Sequence, residues 1–271
     1  MLFSVFGSPI AHSLSPEIHQ AFAKQFHLDL TYTKTACSAL DFSRKLTEFK
    51  YVHHGVGANI TAPLKQHAYA LCAPQYLSAR AKLAQSVNTL YWDKNNNLVG
   101  DNTDGVGFER DIYDNAGQVF EHQNILIIGA GGAAAGILPI ICAHQPRAIY
   151  LYNRTQLHAQ VLAQKHQKVQ VMPPNFKTLH WDWVINTAGQ FDLLKGLNLD
   201  SKQVSAAKFY DLSYDKTRQT IFLEQAKKLF CPVWQRDGYG MLIEQAAESF
   251  YIWHHLKPDT KKLFRKGAHY D

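Results

Sequence analysis

Four short strings in this chain gather the side chains needed to move a proton and to hold a small polar molecule. They are Ser13-Leu14-Ser15, Asn59-Ile60-Thr61-Ala62-Pro63-Leu64-Lys65, Ser86-Val87-Asn88-Thr89 and Gly100-Asp101-Asn102-Thr103-Asp104-Gly105. Together they offer hydroxyls, an amide, an ammonium and a carboxylate. Such a set suits a small polyhydroxylated acid: hydroxyls and the amide bond its carboxylate and alcohols, while Lys65 and Asp104 remain for proton transfer. Each string falls where a predicted strand ends or a predicted helix begins.

A fifth string has a different chemistry. Gly129-Ala130-Gly131-Gly132-Ala133-Ala134 fits the pattern G-x-G-x-x-A. It follows the apolar strand Ile125 to Ile128 and opens a helix, the context in which backbone amides approach a pyrophosphate at the positive helix end. At the end of the next strand an NAD site has Asp or Glu, which accepts from the ribose 2′-hydroxyl. This chain reads Tyr150-Leu151-Tyr152-Asn153-Arg154-Thr155. A guanidinium there pairs bidentately with a 2′-phosphate, so the sequence favours NADP over NAD.

The elements that must carry these strings follow from periodicity and punctuation. Met1 to Phe6 reads as a strand, and Ser15-Pro16-Glu17 as a helix start with Ser15 at the N-cap. A strand at 31 to 35, a helix at 42 to 49 and a glycine-rich strand from Gly55 come next. Asn88 to Trp92 and Leu98 to Gly100 form a predicted hairpin. From about Asp104 the alternation repeats, with strands at 125 to 128, 148 to 152, 183 to 186, 208 to 211 and near 232 to 234. Helices are expected from 132 and over 156 to 166. Strands alternating with helices specify an α/β fold with largely parallel pairing. A last helix, Met241 to Leu256, is stopped by Pro258 and either closes the second region or returns to the first.

Composition sets the outer bounds. The chain has 271 residues, 46% hydrophobic and 18% charged, enough for two packed units and against disorder. Its formal charge of +6 favours anionic partners. The run from Ile125 to Ala143 approaches the ~20 apolar residues of a membrane span, but four glycines and Pro139 break it into strand, turn and helix. The start reads as a strand rather than a signal peptide. Cys37, Cys72, Cys142 and Cys231 show no paired spacing, which points to free thiols in a reducing cytoplasm.

These strings, in this order, resemble the shikimate dehydrogenase family nearly end to end. The likeness includes Phe6 to Pro16, Asn153-Arg154-Thr155, Tyr210-Asp211-Leu212 and Asp237-Gly238-Tyr239-Gly240-Met241-Leu242 leading to Gln245. The resemblance implies a mixed-sheet α/β substrate domain at 1–103 and 239–271, an NADP-binding Rossmann domain at 104–238, and a C-terminal helix that returns to the first domain. It implies reversible NADPH-dependent reduction of 3-dehydroshikimate to shikimate, on the route to chorismate and the aromatic amino acids. Lys65 and Asp104 become the catalytic pair, with Lys65 the proton shuttle. Ser13 and Ser15 hold the substrate carboxylate, and Thr61, Asn88, Tyr214 and Gln245 its hydroxyl side. Gly129, Ala130, Gly131, Gly132, Ala133, Asn153, Arg154 and Thr155 bind the cofactor, with Leu212 and Gly238 at the nicotinamide end.

Two departures from the family pattern stand out. His158 occupies the place of a second basic residue after Arg154, and Asn186-Thr187-Ala188-Gly189-Gln190 runs directly into Phe191-Asp192 where relatives have a longer loop. The rival readings are a quinate/shikimate dehydrogenase with relaxed cofactor use and a non-catalytic NADP sensor, the latter disfavoured by the intact Lys65 and Asp104. Fourteen histidines suggest a metal, but no H-E-x-x-H or ligand-spaced cysteines occur, so none is expected. The basic residues are dispersed, so neither nucleic acid nor membrane is expected as a partner. The assembly expected is a monomer or homodimer.

Overall fold

A computed structural model describes residues 1–173, 176, 179–189, 194–197, 199–215 and 218–264. It divides into two compact units, Met1–Phe108 with Leu242–Phe264, and one built on Glu109–Met241. The divisions fall inside two helices, after residues 108 and 241, rather than at 103/104 and 238/239, because each helix continues across the point where its contacts change unit.

The first unit is a five-stranded sheet in the order β2-β1-β3-β4-β5. β1 (Leu2–Gly7) pairs in parallel with β2 (Thr31–Ala36) and with β3 (Gly55–Ile60). β4 (Thr89–Trp92) and β5 (Leu98–Asp101) then run antiparallel as the expected hairpin, so the sheet is mixed. This reversal positions the site. Asn88 precedes β4 and Asn102 follows β5, and both therefore stand at the same end of the sheet as Thr61, which follows β3.

Side chains alternate across the inner strand β1, which is buried on both faces. Phe6 packs with Phe42, Phe49, Ile60 and Leu64, beneath α2 (Phe42–Tyr51), α3 (Lys65–Leu71) and α4 (Ala79–Ala84). Phe3 and Val5 pack on the other side with Ile10, Tyr32 and Trp253. α1 (Ser15–Gln25) begins one residue earlier than expected, with Leu14 at its N-cap and Pro16 in the first turn. Ser15 is thus the first helical residue, not the cap. The hydroxyl that accepts from a free amide there belongs to Ser13, whose Oγ receives Ser15 N at 3.3 Å.

α5 (Asp104–Glu109) leads into a π-helical turn, Arg110–Asn115, and the second unit. There six strands lie in the order β11-β10-β9-β6-β7-β8, every pair parallel. They are β6 (Asn124–Ile128), β7 (Ala148–Tyr152), β8 (Val169–Val171), β9 (Trp183–Asn186), β10 (Lys208–Asp211) and β11 (Trp234–Asp237). With β6 counted first, this is the doubly wound order 3-2-1-4-5-6 of a Rossmann sheet. The apolar run divides as expected into β6 and α6 (Gly132–Ala143), and no helix among the described residues is long and apolar enough to cross a membrane.

Smaller differences have local causes. α7 (Gln156–Ala163) stops short of residue 166 because the chain turns back to lay β8 beside β7. β8 has three residues, too few to show a period. The last strand lies at 234 to 237, two residues later than expected, where it pairs in register with β10. α8 (Leu194–Leu197) and α9 (Ile221–Phe230) complete the unit. α10 (Tyr239–His254) carries the chain back to the first unit. It ends not at Pro258 but at His255, whose left-handed φ of 57° breaks the helix. Gly57 lets Trp253 of α10 lie on the first sheet, where its indole donates to Leu90 O at 3.2 Å.

Candidate active site

Lys65 opens α3, where the positive helix end disfavours an ammonium. Asp104 opens α5, where a carboxylate is favoured. The two meet: Lys65 Nζ lies 2.6 Å from Asp104 Oδ2, with side chains 14% and 5% exposed. So little solvent reaches the pair that neither charge is well screened, and each depends on its partners. Asp104 Oδ1 accepts from Asn88 Nδ2 at 2.9 Å, and the same amide nitrogen lies 3.3 Å from Gln245 Oε1. Asn88 is fixed in turn, because its Oδ1 accepts from Thr103 N at 2.9 Å and from Thr89 Oγ1 at 2.8 Å. Gln245 Nε2 donates to Leu242 O at 2.8 Å.

Lys65, Asp104, Asn88 and Gln245 are therefore one contiguous group. Ser13 and Ser15 form a second, with their hydroxyls 3.2 Å apart. Thr61 is half-buried, and its methyl occupies the space a side chain at Gly7 would need. Among the described residues no hydrogen bond joins the Ser13, Ser15 or Thr61 side chains to the Lys65–Asp104 pair. Tyr214 lies in the second unit, half-buried in the segment after β10.

Sequence reasoning missed the polar ladder beneath the first group. Tyr32 donates to Asn59 Oδ1 at 2.7 Å, and Asn59 Nδ2 donates to Ser249 Oγ at 3.0 Å. Ser249 Oγ stands 2.8 Å from Thr89 Oγ1 and 3.2 Å from Thr103 Oγ1, and donates to Gln245 O at 3.0 Å. It joins α10 to the ends of two strands. Ser249 shares the apolar face of α10 with Gln245, and a hydroxyl on that face is the one signal that pointed to it.

The second unit contains a cavity of about 610 Å³ at the ends of β6, β7 and β9. Gly129, Ala130 and Gly131 line it, with Tyr152, Asn153, Arg154, His158, Thr187 and Ala188. This is the crevice where the strand order reverses, the usual ligand position in an open α/β sheet. Gly129 has φ 109°, and a side chain there would overlap Thr187. At Gly131 a Cβ would project into open space, so the glycine leaves room for another molecule at the start of α6. Gly132 and Ala133 form the first helical turn behind it. Thr155 is the N-cap of α7, and its carbonyl accepts from Asn153 Nδ2 at 2.8 Å and from His158 N at 3.1 Å.

Leu212 and Gly238 are brought together in the same unit. A side chain at Gly238 would overlap the Leu212 carbonyl, and Gly238 N donates to Ser213 O at 3.0 Å. Asp211 shapes this segment, since its Oδ1 accepts from Ser213 N at 3.0 Å and Asn186 Nδ2 at 2.9 Å. Burial pushes the Asp211 carboxyl up to about 6. The short loop noted after Asn186 is described as far as Gly189, where the carbonyl accepts from Asn186 Nδ2 at 3.0 Å. Gln190 to Asp192 lie outside the described residues.

Three family models match the chain: the shikimate dehydrogenase substrate binding domain over residues 5–90, shikimate/quinate 5-dehydrogenase over 112–186, and the shikimate 5′-dehydrogenase C-terminal domain over 238–263. A curated relative from Legionella pneumophila strain Lens, named shikimate dehydrogenase (NADP(+)), is 36% identical over 265 residues, covering 97% of each chain. The chain belongs to the shikimate dehydrogenase family. Solved structures share its architecture. An Ael1 enzyme from Pseudomonas putida has 33% identity and a TM-score of 0.82, covering 97% of this chain and 96% of its own. A shikimate 5-dehydrogenase from Thermus thermophilus, in complex with NADP(H) and shikimate, has 28% identity and a TM-score of 0.79, covering 96% of this chain and 95% of its own.

Proposed function

We propose that this member of the shikimate dehydrogenase family catalyses the reversible, NADPH-dependent reduction of 3-dehydroshikimate to shikimate, a step toward chorismate and the aromatic amino acids. The observation that carries the reading is the nearly buried contact of Lys65 with Asp104 at 2.6 Å, held by Asn88 at one end of the first sheet. Reducing a ketone puts negative charge on its oxygen, and an ammonium beside that oxygen stabilises it and delivers the proton. Lys65 is that acid, and in the reverse direction its amine receives the alcohol proton. Asp104 holds Lys65 in place. Ser13 and Ser15 bind the substrate carboxylate, while Thr61, Asn88 and Gln245 bind its hydroxyls.

The second unit, built on Glu109–Met241, suits NADP. Gly131 leaves open space at a helix N-terminus for a pyrophosphate, and Arg154 in the cavity wall suits a 2′-phosphate. NADPH supplies the hydride when bound. Gly129, Ala130, Gly131, Gly132, Ala133, Asn153, Arg154 and Thr155 form its cradle, and Leu212 and Gly238 face the nicotinamide. The first unit, Met1–Phe108 with Leu242–Phe264, is proposed as the substrate domain. The free cysteines fit a reducing cytoplasm, and the assembly proposed is a monomer or homodimer.

The reading is tested by incubating the purified protein with shikimate and NADP. Formation of 3-dehydroshikimate with an equal amount of NADPH is expected, and no product at any substrate concentration overturns the proposal.

A further inference from the structure

The loop that carries Asp104 is fixed at three successive backbone amides by side-chain oxygens. Asn102 N donates to Asp101 Oδ1 at 2.7 Å, Thr103 N to Asn88 Oδ1 at 2.9 Å, and Asp104 N to Asn102 Oδ1 at 3.0 Å. The first of these acceptors is itself gripped from α4. Arg80 Nε donates to Asp101 Oδ1 at 2.7 Å and Arg80 Nη2 to Oδ2 at 2.9 Å, while Ser78 Oγ donates to Oδ1 at 2.5 Å. The remaining arm of the guanidinium, Nη1, reaches Glu248 Oε1 at 2.9 Å. Glu248 stands three residues after Gln245 on α10, so the two share a face of that helix.

One side chain thus grips both elements that present the polar group around Asn88. We propose that Arg80 is a positioning residue, which sets the Asp104 carboxylate through Asp101 and the Gln245 amide through Glu248 so that both converge on Asn88. The inference rests on the reading of Lys65 and Asp104 as the reacting pair. Arginine suits the task because its planar fork holds two carboxylates at fixed angles. The Asp101 and Glu248 side chains are each 13% exposed, so solvent does little to replace the grip once it is lost. A lysine at position 80 supplies the charge but not the fork.

Steady-state kinetics of Arg80→Met, Arg80→Lys and Glu248→Gln with shikimate and NADP test the proposal. For Arg80→Met, kcat falls about 100-fold, the scale of a displaced reacting group, and the KM for NADP stays unchanged. Arg80→Lys recovers part of kcat. Glu248→Gln, which keeps the shape of the side chain, raises the KM for shikimate with kcat largely retained. A residue that merely packs lowers the melting temperature and leaves kcat per folded molecule intact. If Arg80→Met does not fold, the two conservative variants decide, and wild-type kcat and KM in both overturn the proposal. Should the wild-type protein itself fail to oxidise shikimate, the site reading fails and the inference with it. An active wild type with indistinguishable variants overturns the inference alone.

Discussion

Lys65 Nζ lies 2.6 Å from one carboxylate oxygen of Asp104, while the other oxygen accepts from the Asn88 amide. The pair is joined by chain topology rather than by sequence neighbourhood. α3 follows β3, α5 follows β5, and the antiparallel hairpin of β4 and β5 delivers both helix starts to one end of the sheet. An ammonium held in this way has lost much of its hydration and is fixed by one partner, the placement a proton donor needs to return to the same position each turnover.

With Lys65 as the proposed acid, removing its ammonium removes the proton. Lys65→Ala is expected to lower kcat by roughly 10²–10⁴-fold, the span of general acid catalysis, with the dissociation constant for NADPH unchanged. Fluorescence titration beside steady-state kinetics separates the two quantities. Normal turnover in this variant takes Lys65 out of the role.

Cofactor choice is expected to follow Arg154. With Arg154 at the 2′-phosphate as proposed, Arg154→Leu deletes a charge-assisted contact, so NADPH binding weakens by about 1.5–3 kcal/mol, roughly 10- to 150-fold, while NADH binding stays as it was. Equal losses for both cofactors place Arg154 elsewhere than at the 2′-phosphate.

How much of this was legible in the sequence depends on range. The glycine loop, its strand and Arg154 were readable because one βαβ unit places them within a few residues of each turn. The Ser15 helix start was misplaced by one residue, since a Ser-x-Ser pair offers two hydroxyls and only backbone geometry decides that Ser13 accepts the amide. Pro258 concealed an earlier stop, because a left-handed histidine has no compositional signature. The Arg80–Asp101 and Arg80–Glu248 pairs join residues 21 and 168 positions apart, and no local pattern could have joined them. Ser249 likewise gained its meaning only when α10 packed on the first sheet.

Two buried groups are expected to give stability opposite responses to acid. His19 in the first unit lies fully buried, stacked on Tyr32 at 4.6 Å, and burial pushes it down to about 3. The unfolded chain protonates this histidine near pH 6.5 and the native one does not, so its contribution of roughly 5 kcal/mol is lost as pH falls from about 6.5 toward 3. Asp211 in the second unit runs the other way. Its raised value means the native state holds a proton the unfolded state releases, so roughly 3 kcal/mol present below pH 4 is lost as pH rises toward 6. Denaturant unfolding from pH 4 to 8 checks both: His19→Leu flattens the acid-side loss, and Asp211→Asn removes the opposing slope. Unaltered pH profiles in these variants contradict the assignments.

A buried ion pair in the second unit sets another expectation. Arg236 Nη2 lies 2.7 Å from Asp111 Oδ1, and Tyr210 donates to Asp111 Oδ2 at 2.8 Å. Asp111 is fully buried, and burial pushes its carboxyl up despite the guanidinium. Arg236→Met leaves that carboxylate without this cation and is expected to cost about 3–5 kcal/mol. Adding Asp111→Asn returns part of the loss in a double-mutant cycle. Independent, additive losses would show that the pair is not coupled.

The central claim concerns substrate and cofactor together, and one kinetic comparison reaches it most directly: kcat/KM for shikimate and for quinate, each with NADP and with NAD. The predicted result is a clear maximum for shikimate with NADP, with NAD and quinate both poorer. Equal turnover of quinate, or a preference for NAD, contradicts the assignment of an NADP-dependent shikimate enzyme and favours a quinate/shikimate dehydrogenase with relaxed cofactor use. No turnover in any of the four combinations contradicts the catalytic reading of Lys65 and Asp104 altogether.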